Sequence, residues 1–226
     1  SARRARELLP GVVGEGLHGG VKYWDGQFDD ARLALLLART AIARGALVLN
    51  HVAVTSLLRE GGRVGGVTAC DAESAETFAL RARCVVNAAG VWVDAVRDMD
   101  READAPRKPP MVAPSQGVHL VVDRAFLPGT HALMVPKTSD GRVLFAVPWL
   151  GKTLLGTTDT PRHDLDREPA PFREEVEFIL REAGRYLSKA PARADVRSVW
   201  VGLRPLVKPP DDEGDNTKAL SREHTV

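Results

Sequence analysis

The sequence is poor in the residue patterns on which several common kinds of site depend. It has two cysteines among 226 residues, Cys70 and Cys84, and they form no CxxC pair. We expect both to be reduced, packed thiols in a cytoplasmic protein. Its six histidines show no pair at the spacing of helical metal ligands, so no metal site is expected. The sequence contains no GxSxG segment, which disfavours a serine hydrolase.

The sequence also has almost no net charge and no long apolar run. Thirty-one basic and thirty acidic residues leave a formal charge of +1, which disfavours a nucleic-acid-binding protein. The longest uninterrupted apolar stretch, residues 33–38, is far shorter than the about 20 residues of a membrane span. The first residues show no basic segment followed by an apolar one, so we do not expect a secreted protein. With 44% hydrophobic residues the chain is expected to be globular, as one large domain or two small ones.

The first clear element is a helix. Asp29 or Asp30 can cap its start, strong helix formers continue to Arg44, and Gly45 stands where a C′ residue belongs. This helix is apolar nearly all the way round. We therefore expect other parts of the protein to cover it on both sides.

Short apolar runs predict two groups of strands, one before and one after a charged linker at 98–110. One amphipathic helix, from Phe172 to Leu187, interrupts the second group. Gly61-Gly62 indicates a hairpin in the first group. The predicted strands are 47–50, 54–59, 64–69, 78–83 and 84–86, and then 118–123, 132–135, 143–147, 154–158 and 196–207. The fold class is therefore mixed α+β.

Residues 220–226 also read as a strand, with nothing after it to pair with, so we expect the chain to be a fragment of a longer protein.

His119 is a candidate catalytic residue because it interrupts an apolar strand. Alternation places it on the face of the strand opposite to Val118 and Leu120. A histidine held there can act as a general base near neutral pH, or it can be an ordinary, hydrogen-bonded histidine.

Arg204 raises a similar question. It lies in the apolar run 199–207, where a guanidinium is costly without an anionic partner. An internal carboxylate and a bound anionic ligand explain it equally well. Arg222 poses the same question in more polar surroundings.

Two segments at strand ends could contact a ligand. Gly156-Thr157-Thr158-Asp159 offers two hydroxyls and a carboxylate, although a structural Asx or ST turn would use the same residues. Asn87-Ala88-Ala89-Gly90 lets the backbone approach a ligand closely, and tight helix–strand packing would need the same small residues.

Seven segments, taken together, give the chain a family resemblance. In their order and spacing they resemble the FAD-dependent glycerol-3-phosphate dehydrogenases, which belong to the flavoprotein group that includes D-amino-acid oxidase. The segments are 23–33, 87–92, 117–119, 147–149, 156–159, 202–206 and 221–225. The family's N-terminal dinucleotide-binding loop and a later Gly-Gly-Lys segment are missing, and Gln116 stands where the family often has lysine.

The resemblance implies a role for each candidate residue. His119 would be the base for the C2 hydroxyl, Arg204 and Arg222 would bind the substrate phosphate, and Thr157 would line the pocket. Arg204 is thus expected in both the catalytic and the substrate-binding set. The residues implied for the adenosine and pyrophosphate half of FAD are Val54, Asn87, Ala89 and Gly90.

The resemblance also implies a domain organisation. Residues 29–112 would form part of a Rossmann-like FAD-binding domain, and 113–203 an antiparallel-sheet substrate cap with packed helices. Residues 1–28 and 204–226 would border the cleft between them.

The implied reaction is the oxidation of sn-glycerol 3-phosphate to dihydroxyacetone phosphate, with electrons passed to a quinone. The fragment is expected to be inactive and to retain no FAD, while the parent could touch the inner face of a membrane. Two alternatives stay open: a related FAD oxidase or dehydrogenase of an amino or hydroxy acid, and a non-catalytic binding module.

Overall fold

The computed structural model describes residues 1–102, 104–209, 217 and 220. They fall into two compact units. The first comprises Ser1–Val21, Ala89–Asp94 and Lys108–Val226, and the second Lys22–Ala88 and Ala95–Arg107.

The helices are α1 (Ala2–Leu8), α2 (Asp30–Ala43), α3 (Val93–Met99) and α4 (Arg173–Tyr186). The strands are β1 (Val52–Glu60), β2 (Arg63–Asp71), β3 (Thr77–Arg81), β4 (Val112–Asp123), β5 (Leu133–Val135), β6 (Leu144–Trp149), β7 (Lys152–Gly156), β8 (Thr160–Pro161) and β9 (Ser198–Val207). The predicted mixed α+β fold class is confirmed.

The first unit contains a six-stranded antiparallel sheet, and β4 lies at its centre. The order is β5-β6-β7-β4-β8, and β9 also pairs with β4. Along β4, residues 119–123 pair with β7 and residues 115–116 with β8, while residues 112–121 pair with β9. β4 therefore has strand neighbours on both sides.

The core of this unit lies between one face of the sheet and α4. Val118 and Leu120 on β4 are fully buried and belong to the same cluster as Leu155 on β7 and Ile179 on α4. The apolar stripe predicted between Phe172 and Leu187 is the face of α4 that is buried, as its 3.6-residue period requires.

An ionic cluster at the end of β4 joins three strands of the sheet. The carboxylate of Asp123 accepts hydrogen bonds from Arg197, just before β9, and from Lys152 on β7, both at 2.6 Å. These bonds, with that from Arg197 the stronger, lower the pKa of Asp123 to about 2.

The second unit contains α2 and a separate antiparallel sheet of β1, β2 and β3. Gly61 and Gly62 connect β1 to β2 with positive φ angles of 57° and 80°, which confirms the predicted hairpin. The side chain of Asp29 accepts a hydrogen bond from Arg32 N at 3.0 Å, so α2 begins as predicted.

Three expectations about local structure were wrong. No residue of α2 is buried, and Leu35 and Leu37 are about 60% exposed, so the described residues do not cover this helix on both sides. Residues 47–50 and 84–86 form no strand, and Cys84 is exposed rather than packed. Apolar runs of this kind become strands where neighbouring strands pair with their backbone, and these two have no such partner among the described residues. The strand expected at 220–226 lies outside the described residues, apart from Leu220.

Candidate active site

The face of the large sheet opposite to α4 carries two of the sequence-predicted site residues. Side chains alternate along β4, so His119 lies on the face opposite to Val118 and Leu120, as predicted. In the register between β4 and β9, Arg204 pairs with Ser115. Ser115 is two residues from Gly117 and four from His119, so all three lie on the same face of β4. His119 and Arg204 are half-buried on this surface, whereas Ser115 and Gly117 are buried in it, and we call it the open face.

Arg204 lies directly over the backbone of Gly117. A Cβ atom added to Gly117 would be 2.2 Å from Nη2 and 2.5 Å from Cζ of Arg204. Nη2 donates to Thr157 Oγ1 at 2.9 Å, and Nη1 donates to the carbonyl oxygen of Thr158 at 3.1 Å. The guanidinium is therefore held flat on the strand by a glycine beneath it and by the segment that follows β7.

His119 lies over a second glycine. A Cβ atom added to Gly156 would be 2.3 Å from Cδ2 and 2.8 Å from Nε2 of the imidazole. His119, Arg204 and Thr157 are all half-buried. The structure thus brings an imidazole, a guanidinium and a hydroxyl together on one face, a combination suited to binding an oxyanion and accepting a proton from a substrate.

A second polar cluster lies behind the open face, on the buried side of β4. Gln116 and Glu175 are buried there, and Gln116 Nε2 donates to Glu175 Oε2 at 2.6 Å. Arg162, also buried, donates to Gln116 Oε1 and pairs with Asp164. The hydrogen bond to Asp164 raises the pKa of Arg162 above its already high value. The position where the resemblance predicted lysine is therefore neutral, with a fixed positive charge beside it.

The residues predicted for the cofactor are distributed over both compact units. Val54 on β1 is 41% exposed, and Asn87 follows β3 in an irregular segment of the same unit. Ala89 and Gly90 belong to the first unit, where Gly90 has a φ of +59° and nothing lies within 4 Å of an added Cβ. The backbone of Gly90 is thus open to close approach. Arg222 lies outside the described residues.

Sequence reasoning missed the supporting residues of the site. Gly117 and Gly156 create the space for Arg204 and His119, and Glu175 contacts the segment that holds Arg204. A glycine inside an apolar strand is a usable signal, because it often marks a close approach by another group. Nothing comparable in the sequence distinguishes Glu175 from the other acids near the start of α4.

We expect Gly117→Ala to impair anion binding without unfolding the protein. The new methyl group would collide with the far end of the Arg204 side chain, which can swing away at little cost in stability. In the full-length protein the concentration of inorganic phosphate needed for half-saturation should rise roughly tenfold, the loss of about one charged hydrogen bond. Thermal unfolding checks stability in parallel.

Gly65→Ala in β2 is the matched control for that change. A Cβ there would meet only the Glu60 side chain, at 4.0 Å, which is ordinary contact. If Gly117→Ala left the half-saturating phosphate concentration unchanged, or if both variants raised it equally, the packing of Arg204 on Gly117 would have no role in binding.

Comparison with known proteins gives consistent matches. The family model described as FAD dependent oxidoreductase matches residues 1–221. The chain is 41% identical over 234 residues to the mitochondrial glycerol-3-phosphate dehydrogenase of Mus musculus, covering 100% of this chain and 31% of that protein. It is also 41% identical over 232 residues to the mitochondrial enzyme of that name from Arabidopsis thaliana, covering 100% of this chain and 36% of that one. The predicted resemblance is confirmed.

A solved structure is similar over most of the chain. The glycerol-3-phosphate dehydrogenase of Bacillus halodurans, solved in complex with FAD, matches with a TM-score of 0.84 and 39% identity. The match covers 92% of this chain and 41% of that one. The chain therefore spans about a third of the length of the curated relatives and two fifths of the solved one.

The names of the two curated relatives place them in mitochondria, so the cytoplasmic setting stays a prediction. Among the described residues, no helix has both the length and the hydropathy needed to cross a bilayer.

Proposed function

Because the chain belongs to the FAD dependent oxidoreductase family, we propose that the protein containing it oxidises sn-glycerol 3-phosphate to dihydroxyacetone phosphate. The cofactor is FAD and the electron acceptor is a quinone. The names of the relatives support this substrate. The observation that carries the proposal is the grouping of His119, Arg204 and Thr157 on the open face.

Arg204 binds the phosphate of the substrate. Its guanidinium has a fixed orientation over Gly117. It can therefore form charge-assisted, bidentate hydrogen bonds to a phosphate with little further loss of conformational entropy. Thr157, already hydrogen-bonded to Nη2, lines the same pocket. We assign Arg222 as the second phosphate-binding residue from the family resemblance.

His119 removes the proton of the C2 hydroxyl. A neutral imidazole on the open face can accept this proton as the C2–O bond becomes a carbonyl. FAD, when bound, supplies the acceptor for the hydride that leaves C2. Holding the substrate with its C2 hydroxyl at His119 is the main task of Arg204 and Thr157, since alignment of reacting groups removes much of the entropic barrier.

The residues proposed to hold FAD suit a bulky dinucleotide. Gly90 offers an open backbone position with a positive φ, Ala89 precedes it with a small side chain, and Val54 is partly exposed. The family resemblance assigns each of these residues, and Asn87, to the adenosine and pyrophosphate half. The assignment of 29–112 to the FAD domain and 113–203 to the substrate cap belongs to the same proposal.

The setting follows from the electron acceptor. A quinone is held in a lipid bilayer, so the full-length protein would act as a peripheral protein at the inner face of a membrane. Since the chain spans about a third of its curated relatives, we propose that it does not turn over substrate by itself.

Anaerobic flavin bleaching tests the proposal. The full-length protein is purified with FAD, and its visible absorbance is followed after addition of sn-glycerol 3-phosphate, glycerol or a set of amino and hydroxy acids. We expect bleaching by sn-glycerol 3-phosphate alone. Bleaching by an amino or hydroxy acid instead would indicate a related oxidase, and a protein that is bleached by none of them would not carry the proposed activity.

A further inference from the structure

We infer that Glu175 is a positioning residue for Arg204, acting through Thr158. The inference rests on the proposed function, in which Arg204 binds the substrate phosphate, and adds a residue behind the open face that sets how the guanidinium is presented.

Glu175 has both carboxylate oxygens fully engaged. Oε1 accepts hydrogen bonds from Thr158 Oγ1 at 2.9 Å and Thr160 Oγ1 at 2.7 Å. Oε2 accepts from Gln116 Nε2 at 2.6 Å and from the backbone N–H of Phe172 at 2.9 Å. The side chain is 95% buried in the first turn of α4, beside the core residues Val176 and Ile179. An acceptor held by four donors on a packed helix is a rigid anchor.

Thr158 transmits this rigidity to Arg204. Its hydroxyl oxygen accepts a hydrogen bond from Val118 N at 3.0 Å and donates its hydrogen to Glu175, so both hydroxyl functions are committed. The carbonyl oxygen of the same residue accepts from Arg204 Nη1 at 3.1 Å. Because the residue is fixed from both sides, its carbonyl points in one direction, and this direction sets the plane of the guanidinium on Gly117.

Capping of α4 alone does not account for this arrangement. Within the described residues, one of the four donors to Glu175 is the backbone N–H at the helix start, and the other three come from β4 and from the segment after β7. Glu182, two turns later on α4, offers a comparison. It is 99% buried and accepts hydrogen bonds from Ser139 N and Oγ and from Arg185 Nη1, and none of these donors belongs to Thr157 or Thr158, which hold Arg204.

The test compares Glu175→Gln with Glu182→Gln in the full-length flavoprotein. Both changes place an amide where a buried carboxylate accepts hydrogen bonds, so both should lower the thermal unfolding temperature. Glu175→Gln should in addition raise the KM for sn-glycerol 3-phosphate roughly tenfold, with a smaller change in kcat, because a misaligned guanidinium weakens binding of the anion. Glu182→Gln should leave the KM unchanged.

Binding of inorganic phosphate provides a second readout that needs no turnover. Phosphate should raise the unfolding temperature of the wild type and of Glu182→Gln, and Glu175→Gln should require roughly tenfold more phosphate for the same increase. This measurement tests the position of Arg204 even if sn-glycerol 3-phosphate fails to bleach the flavin, so the two failures are distinguishable.

A purely structural Glu175 would give a different pattern. If Glu175→Gln lost stability but kept the wild-type KM and phosphate dependence, or if Glu182→Gln shifted them equally, the inference would be overturned. Should Glu175→Gln not fold, Thr158→Val cuts the same link without removing the buried carboxylate. It should reproduce the rise in KM and phosphate requirement, and wild-type values for it would equally overturn the inference.

Discussion

Replacing Arg204 with alanine in the full-length protein is expected to lower kcat/KM for sn-glycerol 3-phosphate by roughly 10²- to 10³-fold, the cost of removing one side of a desolvated charge pair. The guanidinium lies flat on Gly117 and is held by Thr157 and the carbonyl of Thr158, so its position is set before substrate arrives. Steady-state kinetics with an artificial acceptor measures the effect. The flavin absorbance of the purified variant shows whether FAD is still bound.

Arg197→Ala is the matched control for this variant. Arg197 precedes the same strand, but its side chain is 56% exposed and pairs with Asp123 at 2.6 Å, at the end of β4, eight residues from Ser115, the partner of Arg204 in the register. Its removal should leave the kinetics unchanged, since an exposed ion pair contributes little. Equal kinetics for Arg204→Ala and the wild type would exclude Arg204 from substrate binding.

Replacing His119 with glutamine is expected to reduce kcat by roughly 10²- to 10⁴-fold, the usual contribution of a general base. Glutamine is of similar size and can still form hydrogen bonds beside Gly156, so binding should change less than turnover. In the wild type, kcat should rise with pH as His119 loses its proton, because the neutral imidazole is the active form. The variant should lack that rise, and a pH series of kcat with flavin-saturated protein measures it.

His18→Gln serves as the control, because His18 is an exposed histidine in the loop after α1. It should keep both the rate and the pH profile of the wild type. If His119→Gln also kept the pH-dependent rise, the proton acceptor would be another group, and the arrangement of His119 over Gly156 would be structural only.

Much of the local structure was predictable because its causes are local. The start of α2 follows from the capping carboxylate of Asp29, and the β1–β2 hairpin from two glycines that adopt positive φ. The burial of Val118 and Leu120 opposite His119 follows from the two-residue period of a strand. The same reasoning failed at 47–50 and 84–86, because a strand also needs a partner that local sequence does not supply.

The sequence by itself determined the family, the fold class and the identity of the candidate base and the candidate anion-binding arginine. These depend on residue types in a fixed order, which a linear chain displays directly. It left undecided whether Arg204 and Thr157 share a face with His119, because that depends on the register between β4, β7 and β9. Only the tertiary structure decided this register, and with it the glycine beneath each side chain and the link from Glu175 to Arg204. Such contacts join residues 17 to 87 positions apart in the chain, and they form only when the packing of the whole sheet against α4 fixes every strand at once.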